Sequence, residues 1–349
     1  MLITNFNNYK SQYSIQNKNP QLIKTYPCDL VTFSGKKDNL ADDPELDKAL
    51  KQVSSRIDNI IKKTMKNFIN GGYTADFYDL RTEKGDSLGY VLAIPKTVIE
   101  EVKNGSYKFK GQFKEVEDEY PGFNVGQCIA ECRDLRIHKK LNGTPGGIIY
   151  NTEGKTPEER WNYTQNCIFT NKHLEQYKKH LGRLEQLTNN QECFDDFAKE
   201  ILELSEKHMF DLSPNNILID VKNKKINIFN PTTRKNTKKN QCQGNLLADI
   251  VGCLFDAKFV LRQSEQSRQR LLQKSPTDEN LNFIEIRKKV LKNCLLAARK
   301  ANMSFKHDLS YFFEISGLSK DDMQKIIEAS KKNNKIFNTT LGQVFNEKS

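Results

Sequence analysis

The chain of 349 residues carries 55 Lys and Arg against 44 Asp and Glu, a net charge of +11, with 37% hydrophobic and 28% charged residues. That length can bury a core and that composition suits a globular protein, which excludes disorder of the whole chain. The longest apolar runs, such as the one beginning at Leu246, fall short of the roughly 18 residues a bilayer-spanning helix needs, and the N-terminus MLITNFNNYKSQ lacks the basic segment and apolar stretch of a secretory signal.

Residues 1–42 are polar, Asn-rich and weakly patterned, and read as an extension. After an Asp-Asp-Pro start signal, Leu46, Ala49, Leu50, Val53, Ile57, Ile60 and Ile61 recur at helical spacing. They predict an amphipathic helix over 43–68 that ends near Gly71 and Gly72. Residues 71–96 hold two β-rich runs separated by EKGDS, a hairpin signal. The segment 124–141 is read as a helix, and the GTPGGIIY stretch after it as a strand. A further strand is read over 166–170. Two helical stretches follow, HLEQYKKHLGRLEQL and ECFDDFAKEILELSEKH, the second with Phe194, Phe197, Ile201 and Leu204 on one face. Beyond residue 246 the pattern is helical to the tail. Strands with one helix first and mostly helices afterwards predict an α+β fold of two unequal lobes.

The eight cysteines, Cys28, Cys128, Cys132, Cys167, Cys193, Cys242, Cys253 and Cys294, form no C-x-x-C pair, which favours reduced, packed thiols in the cytosol. Cys128, Cys132 and His138 are too few to expect a zinc site. The positive charge is unevenly spread: Lys222, Lys224, Lys225, Arg234, Lys235, Lys238 and Lys239 follow one another with no acidic residue between them. This run is either a solvated face or a polyanion site for an inositol polyphosphate, a phosphoinositide headgroup or, less well supported, nucleic acid.

The stretch HMFDLSPNNILID from His208 places Asp211 and Asn216 five residues apart, between a helix and an apolar strand. It resembles the catalytic loop of the protein kinase superfamily, where a carboxylate meets the substrate hydroxyl and an amide oxygen holds a metal at the phosphates. The Ala-Asp-Ile-Val-Gly segment at 248–252 is similar to the start of the buried helix that supports this loop, so Asp249 would take its backbone hydrogen bonds. The resemblance implies a bilobal kinase-like fold. Its small β-rich lobe would span 69–172 and its larger helical lobe 173–300, with a helical extension over 301–349. In the small lobe Gly71 and Gly72 resemble a reduced glycine loop. Val-Leu-Ala-Ile-Pro-Lys at 91–96 resembles the strand carrying the phosphate-anchoring lysine, which makes Lys96 the candidate. Another alignment puts Ala93 there, and Pro95 is unusual in a central strand. The acidic partner of the lysine would be Glu131, with Asp134 the alternative.

Departures from the family pattern bear on activity. Met209 and Phe210 stand where a His-Arg pair is usual, Ser213 replaces a lysine, and Asn230-Pro231-Thr232 replaces the metal-binding Asp-Phe-Gly. Losing one unit charge about 4 Å from a metal costs up to ~4 kcal/mol at an effective dielectric of 20, near a thousandfold in rate. The chain thus resembles divergent ATP-dependent kinases found among bacterial effector proteins. That resemblance implies Mg2+ or Mn2+ at Asn216 and Asn230, transfer to protein Ser or Thr, and delivery into a host cytosol. A pseudokinase scaffold, a small-molecule kinase, and a basic nucleic-acid or phosphoinositide binder are the alternatives.

Overall fold

The computed structural model describes residues 57–71, 75–108, 112–117, 120, 122–146, 171–209, 212, 214–229, 234–235, 246–255, 283–303, 305 and 318–346. Within these the fold is α+β: an antiparallel sheet region followed by a larger helical one. The extension over 1–42, the first half of the helix expected over 43–68, and the strand expected over 166–170 lie outside the described residues.

Helix α1 (Ile57–Thr64) stops well before Gly71. Asn67 donates its side-chain amide to Lys63 O at 2.9 Å, and the Thr64 hydroxyl accepts the Arg81 N–H at 3.0 Å. The chain then turns into β1 (Phe68–Gly71), which is a strand where helix was expected. The cause is tertiary: this short segment pairs with β2 (Ala75–Arg81) from Phe68 to Gly71. Strand β3 (Ser87–Pro95) completes the hairpin read from the sequence, with Gly85 at φ 97° in its turn. A short helix, α2 (Ile99–Asn104), buries Ile99 and Val102 and ends on Gly105 at φ 75°.

The helix expected over 124–141 is instead a strand hairpin, β5 (Cys128–Cys132) and β6 (Leu135–Lys139), with β4 (Lys114–Glu115) on its far edge. Its turn uses Arg133 in the left-handed region at φ 50°, a conformation usually marked by Gly or Asn. Neither is present to signal it. Exposed Glu131 between buried Ala130 and Cys132, and exposed Arg136 between buried Leu135 and Ile137, fit strands. The sheet order is β1-β2-β3-β6-β5-β4.

In the helical region α3 (Asn171–Leu187) and α4 (Gln191–Lys207) form as read from the sequence. Phe194, Phe197, Ile201 and Leu204 of α4 are all buried. They share one core with α5 (Leu246–Leu254), α6 (Phe283–Lys300), α7 (Lys320–Ser330) and α8 (Asn334–Val344). Between α4 and α5 run short strands: β8 (His208–Met209), β9 (Ile217–Asp220), β10 (Lys225–Ile228) and β11 (Arg234–Lys235). Of the GTPGGIIY segment, Thr144–Pro145 forms β7 on β9, and 147–150 lies outside the described residues.

Candidate nucleotide and phosphotransfer site

The segment from β8 to β11 is tied at both ends. Met209 pairs with Arg234 and His208 with Lys235. A 3-10 turn, Pro214–Asn216, leads into the β9-β10 hairpin, and Phe229 N–H donates to Asn216 O at 2.7 Å where the hairpin closes. Asn216 therefore lies beside the point where the chain leaves β10. Asp211, Ser213 and Asn230 fall outside the described residues, but described, mutually paired backbone flanks them on both sides. Asp249 is half-buried in α5, which packs against the 3-10 turn.

The hairpin is held against the sheet region by close backbone approach. Gly126 N–H donates to Ile228 O at 2.8 Å, and Gly146 N–H to Ile217 O at 2.9 Å. A Cβ on Gly126 would run into the Phe229 ring, and one on Gly146 would stand 2.8 Å from Pro214 O. Asn227 also donates its side-chain amide to Asn142 O at 2.9 Å. Phe77, Val91, Ala93, Leu141, Leu218 and Phe229 make a small apolar cluster at this junction. The Phe77 and Phe229 rings meet edge to face at 5.3 Å. His138 packs at 5.8 Å from Phe77 and donates Nδ1–H to Gly126 O at 3.3 Å; burial pushes its pKa down to about 4, so the ring is neutral.

Beside this cluster is a cavity of about 350 Å3. Its apolar walls come from Phe68 and Ile69 of β1, Val91 of β3, Leu141, and Leu218 with Phe229 of the hairpin. Its polar end holds Asp79, Arg81 and Lys140. Asp79 is the hub: its carboxylate accepts Lys140 Nζ at 2.7 Å and the Ser87 hydroxyl at 2.8 Å, and pairs with Arg81. Arg81 Nε is buried and meets no acceptor among the described residues. Such a volume, mostly apolar with a few convergent polar groups, suits the flat base of a nucleotide.

Lys96 is placed elsewhere. Asp76 stands opposite Ile94 in the sheet, on the face away from Phe77 and Ala93, and Lys96 beyond β3 reaches the same face. There it forms a buried ion pair with Asp76, and it does not line the cavity. Glu131 is not its acidic partner. That residue lies on strand β5, half exposed, 3.9 Å from Arg136 Nε. The alternative, Asp134, is exposed in the hairpin turn and accepts the Tyr107 hydroxyl at 3.4 Å. Gly71 ends β1 opposite Asp76, and Gly72 is outside the described residues. Of the basic run, Lys222, Lys224 and Lys225 are exposed at the β9-β10 turn, Arg234 and Lys235 form β11, and Lys238 and Lys239 are outside the described residues.

Asp79, Arg81, Lys140 and Phe229 carry no local signal in the sequence; only the folded sheet gathers them. Among the described residues no group of three or more His, Cys, Asp or Glu could hold a metal ion, and no helix is long and apolar enough to cross a membrane.

No protein-family model matches the chain, and no curated protein matches it. Among solved structures it is similar to the ADP-bound aminoglycoside phosphotransferase APH(2'')-Ib, at 13% sequence identity and a TM-score of 0.22, over 80% of this chain and 91% of that one. The functional reading rests on this chain's own residues.

Proposed function

We propose that the protein is an atypical ATP-dependent phosphotransferase whose acceptor is a protein Ser or Thr hydroxyl. The observation that carries the reading is the cavity between strands β1 to β3 and the β9-β10 hairpin. The hairpin that supplies its wall, through Leu218 and Phe229, begins directly after Asn216. Asn216, at the start of that hairpin, is the described residue of the loop that the phosphates of a base held there would need to reach.

In this reading Asp211 accepts the hydroxyl proton as the substrate oxygen bonds to the γ-phosphorus and the bond to the ADP oxygen breaks. Asn216 and Asn230 offer amide oxygens, which are hard but uncharged ligands suited to Mg2+. The bound ion would neutralise charge developing on the transferred group. Asp249 holds the loop from α5. In this reading the backbone amides at Gly71 and Gly72 would meet the phosphates. Lys96, joined to Asp76, fixes the ends of β2 and β3 next to that turn.

The finer part of the proposal is activation by an inositol polyphosphate at the basic run. Lys222, Lys224 and Lys225 sit at the turn of the hairpin that carries the cavity wall, at the end opposite the Ile217 and Ile228 pair.

The test is incorporation of labelled phosphate from ATP with Mg2+ or Mn2+, with and without inositol hexakisphosphate. Incorporation lost in Asp211→Ala supports the reading. ATP binding with no incorporation under any condition replaces it with a nucleotide-binding scaffold, a reading favoured by Asn230 in place of a metal-binding aspartate. Absence of ATP binding overturns both. Activity insensitive to the polyanion and to salt removes the activator alone.

A further inference from the structure

The phosphates of a nucleotide are anionic and call for a cation beside them. Strand β3 has no basic residue to offer. Its Val91 and Ala93 turn to the cavity side, packed with Leu218 and Phe229 of the hairpin, and Lys96 beyond it is on the opposite face with Asp76. Arg81 and Lys140 share one carboxylate, Asp79, at the end of the cavity where Asp79 stands opposite Val91.

The register of the sheet brings in another cation. Residues directly opposite each other on antiparallel strands project from the same face. Ala93 stands opposite Phe77 of β2 on one side and opposite Arg136 of β6 on the other. Arg136 stands opposite Glu131 of β5, and Glu131 opposite Lys114 of β4. This row lies on the cavity side of the sheet, apolar at its β2 end and charged toward β4. Arg136 Nε is 3.9 Å from Glu131 Oε2, and the two side chains are 56% and 53% exposed, so the guanidinium is open to a ligand. Its charge also reaches the aromatic cluster: after burial, it helps to push the His138 pKa down. Along β3 the chain runs from Val91 through Ala93 to Pro95, which stands opposite Ala75 at the turn following Gly71. Arg136 is therefore displaced from the Asp79 cluster toward the Gly71 turn, the side where the phosphotransfer reading sets the phosphates. Phe229, whose ring meets Phe77 of the same row, leads directly to Asn230 in the chain.

We propose that Arg136, oriented by Glu131, is the phosphate-binding cation of the nucleotide cavity. The assignment rests on the nucleotide reading of that cavity and adds the residue that meets the phosphates. An exposed ion pair at this distance does little for stability, so the guanidinium can turn from Glu131 to a more strongly charged partner. Its planar fork donates parallel N–H bonds to phosphate oxygens, which a lysine ammonium cannot do. Glu131 is a positioning residue: it keeps the guanidinium on the cavity side of the sheet.

The experiment is equilibrium dialysis of the full chain and its variants against adenosine, AMP, ADP and ATP. In the parent chain affinity is expected to rise with the number of phosphates. Arg136→Ala loses roughly 10- to 100-fold in ATP affinity and nothing in adenosine affinity, so the series flattens. Arg136→Lys recovers part of the loss, because the charge stays and the fork does not. Glu131→Gln weakens ATP binding less than Arg136→Ala does and also leaves adenosine unchanged. Lys139→Ala removes the same charge from the other face of β6 and binds every ligand as the parent does. The proposal is overturned, with the nucleotide reading intact, if Arg136→Ala binds ATP as the parent does, if it loses adenosine and ATP alike, or if Lys139→Ala loses as much. If the parent binds neither adenosine nor ATP, the nucleotide reading of the cavity falls and this assignment falls with it. Thermal melts verify that these exposed changes leave the fold intact, and Arg136→Gln repeats the measurement if the alanine variant melts early.

Discussion

Lys96 and Asp76 show how a single contact redirects a functional expectation. The lysine sits where a phosphate anchor would be sought in the sequence, yet it is buried against a carboxylate on the sheet face away from the cavity. Removing one partner of a buried pair leaves an uncompensated charge, so Lys96→Met is expected to cost about 3–5 kcal/mol in urea denaturation. The double change Lys96→Met with Asp76→Leu recovers most of that. If nucleotide affinity returns with it, the lysine supports the site from behind; if affinity stays lost while stability returns, Lys96 touches the nucleotide. The buried histidines make a second prediction at this scale. His180 donates Nε2–H to Leu254 O at 2.6 Å, and burial pushes its pKa, like that of His138, from 6.5 down to about 4. The folded pKa lies below the unfolded one, so stability is full above pH 6.5 and falls as pH drops to about 4. The loss is of order 3 kcal/mol per histidine. A pH series of chemical denaturation checks it, with His180→Asn expected to flatten the profile.

At the scale of elements, the β9-β10 hairpin is the part on which the candidate site depends. Close backbone approach at glycines holds it alongside the Phe77 and Phe229 cluster. Gly143 has φ 126°, where other residues are strained, and a Cβ there would stand 2.9 Å from Leu218 Cβ. On Gly146 a Cβ would be 2.7 Å from Ile217 Cγ1. Gly146→Ala must therefore push Pro214–Asn216 away, with an expected loss of about 1–3 kcal/mol. Differential scanning calorimetry measures that loss, and isothermal titration with ATP tests whether nucleotide affinity falls with it. An unchanged melting temperature would falsify the tight approach. The elements themselves differ in legibility. α3 and α4 could be read from their apolar faces, because a long helix repeats its signal over several turns. The β5-β6 hairpin could not, because its strands are five residues each and its turn has Arg133 where Gly or Asn would have marked it.

For the whole molecule, the cavity is the feature on which the proposed function turns. It takes walls from β1, β3, the segment after β6, and the hairpin, which are remote in sequence. Val91→Phe fills it from the β3 side, and is expected to lower ATP affinity at least tenfold in equilibrium dialysis while the far-UV circular dichroism stays that of the parent. Unchanged affinity would place the nucleotide elsewhere. The Asp79, Arg81 and Lys140 cluster closes one end of the same space, and it links β2 to the segment that leads on from β6 toward the helical region.

The sequence alone determined the α+β order, the long helices with their apolar faces, and the Asp211 and Asn216 spacing, because each is a local pattern of residue type and interval. Only the tertiary structure decided that 124–141 is a hairpin, that Lys96 belongs to Asp76, and which residues enclose the cavity. Strand pairing and burial depend on partners tens of residues away, and a short segment takes its conformation from those partners more than from its own preferences.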